Sequence, residues 1–393
     1  MQIHAVGGGP AGLYFALLMK LADARHEVTV LEREQPGIIR GWGVTFWDDL
    51  LESMREGDPV SAQSIGAAAV GWGGLRVDVR GSVVEQPGPA GHSIDRSVLV
   101  QILSERAREL GVRVEHGRSA DPTELASRAD LVIASDGVGS RFRAAHAARL
   151  GTSARQGRNQ FVWLATPAIF ETFRFAFVEL EAGWICAYAY AYSETSSTFV
   201  VECPPETWDR LGFAHLDAAA SLRLLAEIFE AQLDAHPLHS KPGHGTGLPW
   251  ARFTTVQNKT WHVDNVALMG DAAHTTHYSI GFGTKLALED ALTLSEELGR
   301  TALPSALEAY QDRRIRELRA AQRDARYSMR WFEKADRYLP YDCDDFASML
   351  FHRRSALFAV VPPAVLVRAR GLLQDQAALR SAWSTVASKL AVR

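Results

Sequence analysis

Cysteine is scarce in this chain, with three residues, Cys186, Cys203 and Cys343, among 393. They lie far apart, form no CxxC pair and have no histidine companions at metal-ligand spacing, so no disulfide framework is expected and no metal is assigned. Such usage fits the reduced thiols of a cytoplasmic protein. An excess of charge of one sign is also lacking. A formal net charge of -4 and a pI near 6.4 leave no electrostatic footprint for nucleic acid or a membrane surface. No apolar run reaches the roughly 20 residues that cross a bilayer. The chain opens on a strand pattern, Gln2 to Val6, rather than on the charged and apolar segments of a targeting signal. Internal repeats and low-complexity tracts are absent too. With 47% hydrophobic and 22% charged residues, the chain has the material for a full core and two or three subdomains.

What is present begins at the first residues. QIHAV, GGGPAG, LYFALLMKLADA and EVTVLER read as strand, glycine turn, helix and second strand within one unit of roughly 30 residues. Gly7, Gly9 and Gly12 form GxGxxG at that strand-to-helix junction. With Pro10 and Ala11 they let backbone N–H groups and the helix N-terminus meet a pyrophosphate. Glu32, twenty residues after Gly12 and followed by Arg33, is placed to accept ribose hydroxyls. Without the glycine motif it would read as a solvated strand end.

Two further strand candidates, Asp130 to Ala134 and Asn265 to Met269, lead into DGVGSRFR and GDAAH, so strands of one nucleotide-binding sheet return three times. A helix is predicted from about Lys285 to Leu298. Between these returns the texture becomes aromatic and alternating, over Phe175 to Glu179, Gly183 to Tyr192 and Thr198 to Cys203, which predicts an inserted antiparallel sheet. In WICAYAYAY, Trp184, Tyr188, Tyr190 and Tyr192 share one face and Ile185, Ala187, Ala189 and Ala191 the other. That alternation suits ordinary sheet packing and equally an aromatic wall for a flat substrate. From about Pro304 onward the pattern is helical and arginine-rich, with a break at Pro362 and Pro363.

GxGxxG, DGxxSxxR and GDAAH in this order resemble the flavoprotein aromatic hydroxylases of the para-hydroxybenzoate hydroxylase type. The resemblance implies an α/β fold: a Rossmann-like FAD-binding domain (1–74, 92–155 and 259–310), an inserted antiparallel β-sheet substrate domain (75–91 and 156–258) and a C-terminal helical region (311–393). It implies noncovalent FAD, held through the glycine turn, Glu32, Arg33, Arg96 in IDRSVLVQIL, Asp136, Gly137, Gly270, Asp271, Gly281, Gly283 and Thr284. A surface arginine at a helix start is the alternative for Arg96. The same resemblance implies NAD(P)H as a transient donor, since only one dinucleotide fingerprint is present, and hydroxylation by O₂ through a flavin C4a-hydroperoxide, the cofactor supplying the difficult chemistry.

GWGVTF, GRNQFVW, AYAYSETSSTFVVEC and HYSIGFGTKLALEDA narrow the resemblance to the branch acting on salicylyl-CoA and anthraniloyl-CoA, and to hydroxylases of tryptophan derivatives in the violacein pathway. The expected substrate is an aromatic acyl-CoA thioester such as salicylyl-CoA, hydroxylated at position 5 to gentisyl-CoA. An indolic or free aromatic substrate is the alternative, and a flavin-dependent reductase a further one. The wider family has a proline four residues after the GDAAH histidine, where this chain has Tyr278, so the prototype's substrate contacts do not carry over. His277 is the side-chain candidate for polarising the substrate, with a structural histidine as the alternative. Tyr188, Tyr190 and Tyr278 are candidate substrate contacts. Arg316, Arg319, Arg323, Arg326 and Arg330 recur at three- and four-residue steps and share one helical face, so Arg319 and Arg323 are assigned to the phosphates of CoA. A solvated helix with Glu317 and Asp324 as counter-charges reads the same stripe without a ligand. A monomer or homodimer is expected.

Overall fold

The computed structural model describes residues 1–38, 41–88, 90–241 and 246–374. Position 89 and positions 242–245 of the expected sheet domain, and the expected C-terminal region from 375 onward, lie outside the described residues.

Six strands form the nucleotide-binding sheet, in the order His262–Val263, Val266–Leu268, Leu131–Ala134, Gln2–Val6, Glu27–Leu31 and Arg113–Glu115. All neighbours are parallel except the first pair. The strand Gln2–Val6 lies inside the sheet, with Ile3 and Ala5 fully buried on one face and Val6 buried on the other. The helix Pro10–Ala22 buries every residue from Pro10 to Met19. It packs against the helices Gly283–Arg300 and Arg96–Glu109. A helix this apolar all round has to sit in the interior, and it does.

The inserted sheet has seven strands: Ala251–Gln257, Ser153–Thr166, Ser196–Cys203, Gly183–Ser193, Phe173–Leu180, Leu75–Val79 and Ser82–Gln86. It is antiparallel apart from one parallel pairing, Phe173–Leu180 with Leu75–Val79. The expected inserted antiparallel sheet is thus present, with this one parallel pair near its edge. The hairpin formed by residues 75–86 arrives from the nucleotide-binding part of the chain, and a distant segment is free to pair in either direction. A third sheet of three short strands, Gly43–Phe46, Gly91–Asp95 and Val70–Trp72, was not anticipated.

The alternation of Gly183–Ser193 sorts the core in two. Trp184, Cys186 and Tyr188 belong to a cluster with Phe175, Phe177, Trp331, Phe332 and Phe346, from the neighbouring strand and the C-terminal helices. Ile185, Ala187 and Ala189 face another, built with Phe213, Leu225 and Phe229 of the segment between Pro205 and Leu233. One helix, Leu303–Phe332, runs 30 residues and crosses the expected boundary at 310 and 311. Among the described residues no helix is long and apolar enough to cross a membrane.

Candidate active site

A groove of about 320 Å³ opens at the carboxyl ends of the parallel strands. Gly7, Gly9, Glu32, Arg33, Arg96, Asp136 and Gly137 line it. It lies where strand order reverses on either side of Gln2–Val6, the position at which open α/β sheets take ligands. The fingerprint glycines divide their work. A Cβ on Gly7 would stand 2.3 Å from the Ser135 carbonyl oxygen, and one on Gly12 would stand 2.3 Å from that of Gly7. Both glycines therefore let turn, helix and strand approach closely. A Cβ on Gly9 would meet nothing within 4 Å, so Gly9 borders open groove rather than protein. Pro10 and Ala11 are buried in the first turn and do not line the groove. What they can offer a ligand there is backbone, the Ala11 N–H, since proline has none.

Glu32 is aimed by the turn it serves. Its Oε2 accepts from the Gly8 N–H at 2.7 Å and its Oε1 from the Glu34 N–H at 2.9 Å, leaving lone pairs toward the groove. The Arg33 side chain is largely exposed and lies 3.7 Å from Glu34. Asp136 Oδ2 accepts from the Arg141 N–H at 2.9 Å, while its Oδ1 is buried and has no hydrogen-bond partner among the described residues. Arg96 starts its helix behind the Asp95 cap, and burial lowers its pKa against the opposing pull of Asp271. Arg118 and Arg141, which line the same groove, were missed. Arg141 sits inside DGVGSRFR, but its helical position could not be told from that of Arg143. Arg143 turns inward instead and donates to the carbonyls of Val138, Asp271 and Ala272, tying the second motif to the third.

Asp271 stands on a single 3₁₀ turn, Gly270–Ala272, at the end of Val266–Leu268. A buried charge network fixes that turn from behind. Asp290 Oδ2 accepts from the Gly270 N–H at 2.9 Å and pairs with His274 Nε2 at 2.8 Å, while Arg314 Nε donates to Oδ1 at 2.8 Å. Burial pushes the Asp290 carboxyl up, but His274 and Arg314 outweigh it and the net shift is downward. The Asp271 carboxylate makes no side-chain hydrogen bond among the described residues. It is accessible yet ringed by protein, and this desolvation raises its pKa against the fields of His274, Arg96 and Arg143. Gly281 adopts φ +71°, and a Cβ there would stand 2.5 Å from Thr45 Oγ1. Gly283 and Thr284 open the 18-residue helix Gly283–Arg300. None of these three, nor Gly270 or Asp271, lines the 320 Å³ groove; the fields of Arg96, which does line it, and of Arg143 both reach Asp271. A cradle of open glycines, an orphaned Asp136 oxygen and two presented carboxylates are what an extended dinucleotide such as FAD requires.

Two of the three tyrosines expected as substrate contacts, Tyr188 and Tyr278, converge on a residue that the sequence reading passed over. Glu202 is buried at 1% exposure and makes no ion pair among the described residues. Its Oε2 accepts from the hydroxyls of Tyr188 and Tyr278, and its Oε1 from Asn159 Nδ2 at 2.7 Å. Burial raises its pKa and the three donors pull it back. Tyr278 keeps accessible surface, whereas Tyr188 is enclosed. Tyr190 donates to the Gly43 carbonyl at 2.8 Å. Alternation singles out the tyrosines, but no local signal marks Glu202 as their common acceptor.

His277 lies under the long helix, in a small cavity with Phe253, Thr275, Gln322, Arg326 and Met329. Its Nδ1 meets Ser279 Oγ at 2.7 Å, and that hydroxyl meets Ser328 Oγ at 2.7 Å. Burial, helped by Arg353, drives its pKa down to about 3, so the ring is neutral near pH 7 and can act only as a hydrogen-bonding group. Arg316, Arg319, Arg323 and Arg326 line one surface recess of about 510 Å³. Glu317 pairs with Arg313 and Arg314 rather than with the stripe, and Arg323 pairs with Asp324 at 3.1 Å. Arg316, Arg319, Arg326 and Arg330 make no ion pair among the described residues.

The sequence matches a family described as FAD binding domain over residues 100–325. Over 350 residues it is 36% identical to salicyloyl-CoA 5-hydroxylase of a Streptomyces species, covering 86% of this chain and 66% of that protein, just under two thirds of its length. It is 36% identical over 335 residues to 3-hydroxy-4-methyl-anthranilyl-[aryl-carrier protein] 5-monooxygenase of Streptosporangium sibiricum, covering 85% of this chain and 90% of that protein. To protodeoxyviolaceinate monooxygenase of Chromobacterium violaceum it is 29% identical over 390 residues, covering 95% of this chain and all of that protein.

Proposed function

This chain belongs to the FAD-binding family of flavoprotein aromatic hydroxylases, and from that premise we propose that it hydroxylates an electron-rich aromatic ring presented as an acyl thioester, with salicyloyl-CoA the first candidate. The overall reaction balances as ArH + NAD(P)H + H⁺ + O₂ → ArOH + NAD(P)⁺ + H₂O. Bound FAD supplies the redox chemistry, taking electrons from NAD(P)H and activating O₂.

The chain's own residues bind, orient and exclude water. Gly9 and the first-turn N–H groups take the pyrophosphate, Glu32 the adenosine ribose and Asp271 the ribityl chain. The Asp290–His274–Arg314 network holds the Asp271 turn at its angle, so the turn need not reorganise when the cofactor binds. Tyr278, anchored through Glu202, presents its ring to the substrate side. His277 caps the next turn, Tyr278–Ile280, through Ser279 and, as a neutral imidazole, offers hydrogen bonding rather than acid catalysis.

The observation that carries the thioester reading is the arginine recess. From Arg316 to Arg326 the helix rises about 15 Å, and three of the four guanidiniums that line the recess have no ion-pair partner among the described residues. Such a stripe suits the several phosphates of CoA. The two relatives at 36% identity are both named for thioester substrates. The relative at 29% is not, and it keeps an indolic or other non-thioester substrate as the second reading.

Substrate-stimulated NAD(P)H oxidation by the FAD-loaded protein tests this. Salicyloyl-CoA, anthraniloyl-CoA, the free acids and indolic compounds are compared, and products are examined by mass spectrometry. Thioesters are expected to stimulate oxidation and to gain one oxygen atom. Faster turnover of free acids or indoles overturns the thioester assignment, and NAD(P)H-dependent reduction of substrate without O₂ uptake overturns hydroxylation.

A further inference from the structure

A surface recess of about 280 Å³ beside Lys259, the small cavity that holds His277 and the arginine recess are parts of one groove. Gln322 lines all three, and Gln257 lines the first two. One wall is a helix face: Ile315, Leu318, Gln322, Ala325 and Met329 recur at steps of three and four along Leu303–Phe332. The other wall is a strand face. Phe253, Thr255 and Gln257 alternate along Ala251–Gln257, the edge strand of the inserted sheet. Each arginine of the stripe follows one of the five helix residues by a single position, so the guanidiniums flank the groove along its length.

The groove presents polar groups that the fold does not use. The side-chain amides of Gln257 and Gln322 make no hydrogen bond among the described residues, and Phe253, Ile315 and Met329 stay half-buried beside them. At the inner end His277 is 3% exposed and lines the cavity. Its Nδ1 accepts from the Ser279 N–H at 3.4 Å and also meets the Ser279 hydroxyl. The ring is neutral near pH 7, and a neutral imidazole that accepts at Nδ1 carries its proton on Nε2. That Nε2–H has no partner among the described residues. Phe253 stands 4.9 Å from the His277 ring and 6.0 Å from the Tyr278 ring, so the groove ends beside Tyr278.

We propose that this groove takes the phosphopantetheine arm of an acyl thioester, its phosphate on the arginine flank and its thioester carbonyl accepting from His277 Nε2–H. The proposal rests on the reading of this protein as a thioester hydroxylase and gives that substrate a path inward. Length agrees. From Arg319 to Met329 the helix rises about 15 Å, and an extended arm spans about 15 Å from phosphate to sulfur at backbone-like bond lengths. Chemistry agrees as well. The methyl groups next to the phosphate end of the arm pack on Ile315 and Leu318, and its amides pair with Gln257 and Gln322. Guanidiniums without ion-pair partners suit the phosphate. CoA and acyl carrier proteins present the same arm, so the groove serves a thioester from either source.

The test uses the FAD-loaded protein and reads binding from the flavin absorption spectrum. Salicyloyl-phosphopantetheine, salicyloyl-pantetheine and salicylamide share the ring and a carbonyl but differ in phosphate and arm. Loss of the phosphate is expected to weaken binding by roughly tenfold or more, and loss of the arm by roughly tenfold again. Gln322→Trp fills the groove and should erase the advantage of the arm while salicylamide and FAD affinities hold. Gln257→Trp narrows the groove from the exposed edge strand and decides should Gln322→Trp fail to fold. The stretching frequency of an isotope-labelled thioester carbonyl should lie lower in the parent than in His277→Ala. The proposal is overturned if the arm adds no affinity over salicylamide, if the filled groove keeps that advantage, or if the carbonyl frequency is the same with and without His277. Turnover of salicyloyl-CoA against a salicyloyl-carrier protein identifies the source, and Gln322→Trp should impair whichever is used. Arm-dependent binding without hydroxylation sinks the thioester-hydroxylase reading alone; thioester turnover that both tryptophan variants leave unchanged sinks the groove alone.

Discussion

Gly9→Val separates the binding of the dinucleotide from the stability of the fold that binds it. Gly9 caps the helix Pro10–Ala22 with φ −80° and ψ 177°, a conformation open to any L-residue. A Cβ there meets no protein atom within 4 Å. The valine side chain therefore enters the groove instead of the core, and the apoprotein should melt close to the parent. The pyrophosphate, however, can no longer reach the first-turn N–H groups. Losing two charge-assisted hydrogen bonds at about 1.5–3 kcal/mol each removes about 3–6 kcal/mol, or roughly 10²- to 10⁴-fold in FAD affinity. Gly7→Ala is the contrast. Its Cβ would sit 2.3 Å from the Ser135 carbonyl oxygen at a backbone φ of +114°, so it should lower the melting temperature of the apoprotein itself. Flavin fluorescence titrations and thermal melts of both apoproteins provide the readout. If Gly9→Val binds FAD within about threefold of the parent, a shift well below that predicted from the lost bonds, the pyrophosphate does not lie at this turn. If it melts as low as Gly7→Ala, the open environment assigned to Gly9 is wrong.

His277→Ala should leave FAD bound but release more peroxide per NAD(P)H consumed and slow coupled turnover by ~10²-fold; unchanged coupling returns His277 to a purely structural role. Because its folded pKa is depressed from 6.5 to about 3, the neutral ring contributes stability that is complete above pH 6.5 and lost as pH falls toward 3. Melts of parent and variant should therefore converge at low pH. Asp290→Asn removes the carboxylate that His274 and Arg314 share, while Glu289 and Glu317 still pair with Arg314, and should cost about 1–3 kcal/mol in urea unfolding. The parent's lowered Asp290 pKa means that this stabilisation is present above about pH 4 and fades below it, so an equal gap between the two proteins at pH 7 and in strong acid would contradict the network. Arg319→Glu with Arg323→Glu should raise KM for a CoA thioester without changing FAD affinity, and added salt should weaken thioester binding in the parent. Identical kinetics in the double variant would remove CoA from the arginine recess.

Much of the groove at the carboxyl ends of the parallel strands was legible because its requirements are local. A backbone that must turn tightly and admit a phosphate needs glycine at fixed offsets, so Gly7, Gly9 and Gly12 declare themselves within six residues. A carboxylate needed at a strand end appears there, as Glu32, Asp136 and Asp271 do. The two-residue period of WICAYAYAY likewise dictated which side chains share a face, since successive strand residues point to opposite sides whatever the surroundings.

Tertiary structure alone decided what these pieces meet. Glu202 joins Tyr188, fourteen residues away, to Tyr278, seventy-six residues away. Arg143 rather than Arg141 turns inward to hold the Asp271 turn, although both stand in one motif two residues apart. Leu75–Val79 pairs parallel with a strand about a hundred positions later, and Arg354 reaches the Ile280 carbonyl across 74 residues. Backbone conformation and face periodicity are properties of a few adjacent residues, so the sequence by itself determined them. Which buried charge finds which partner depends on packing among segments distant along the chain, because desolvation makes such a contact stabilising only when the whole surrounding shell is assembled.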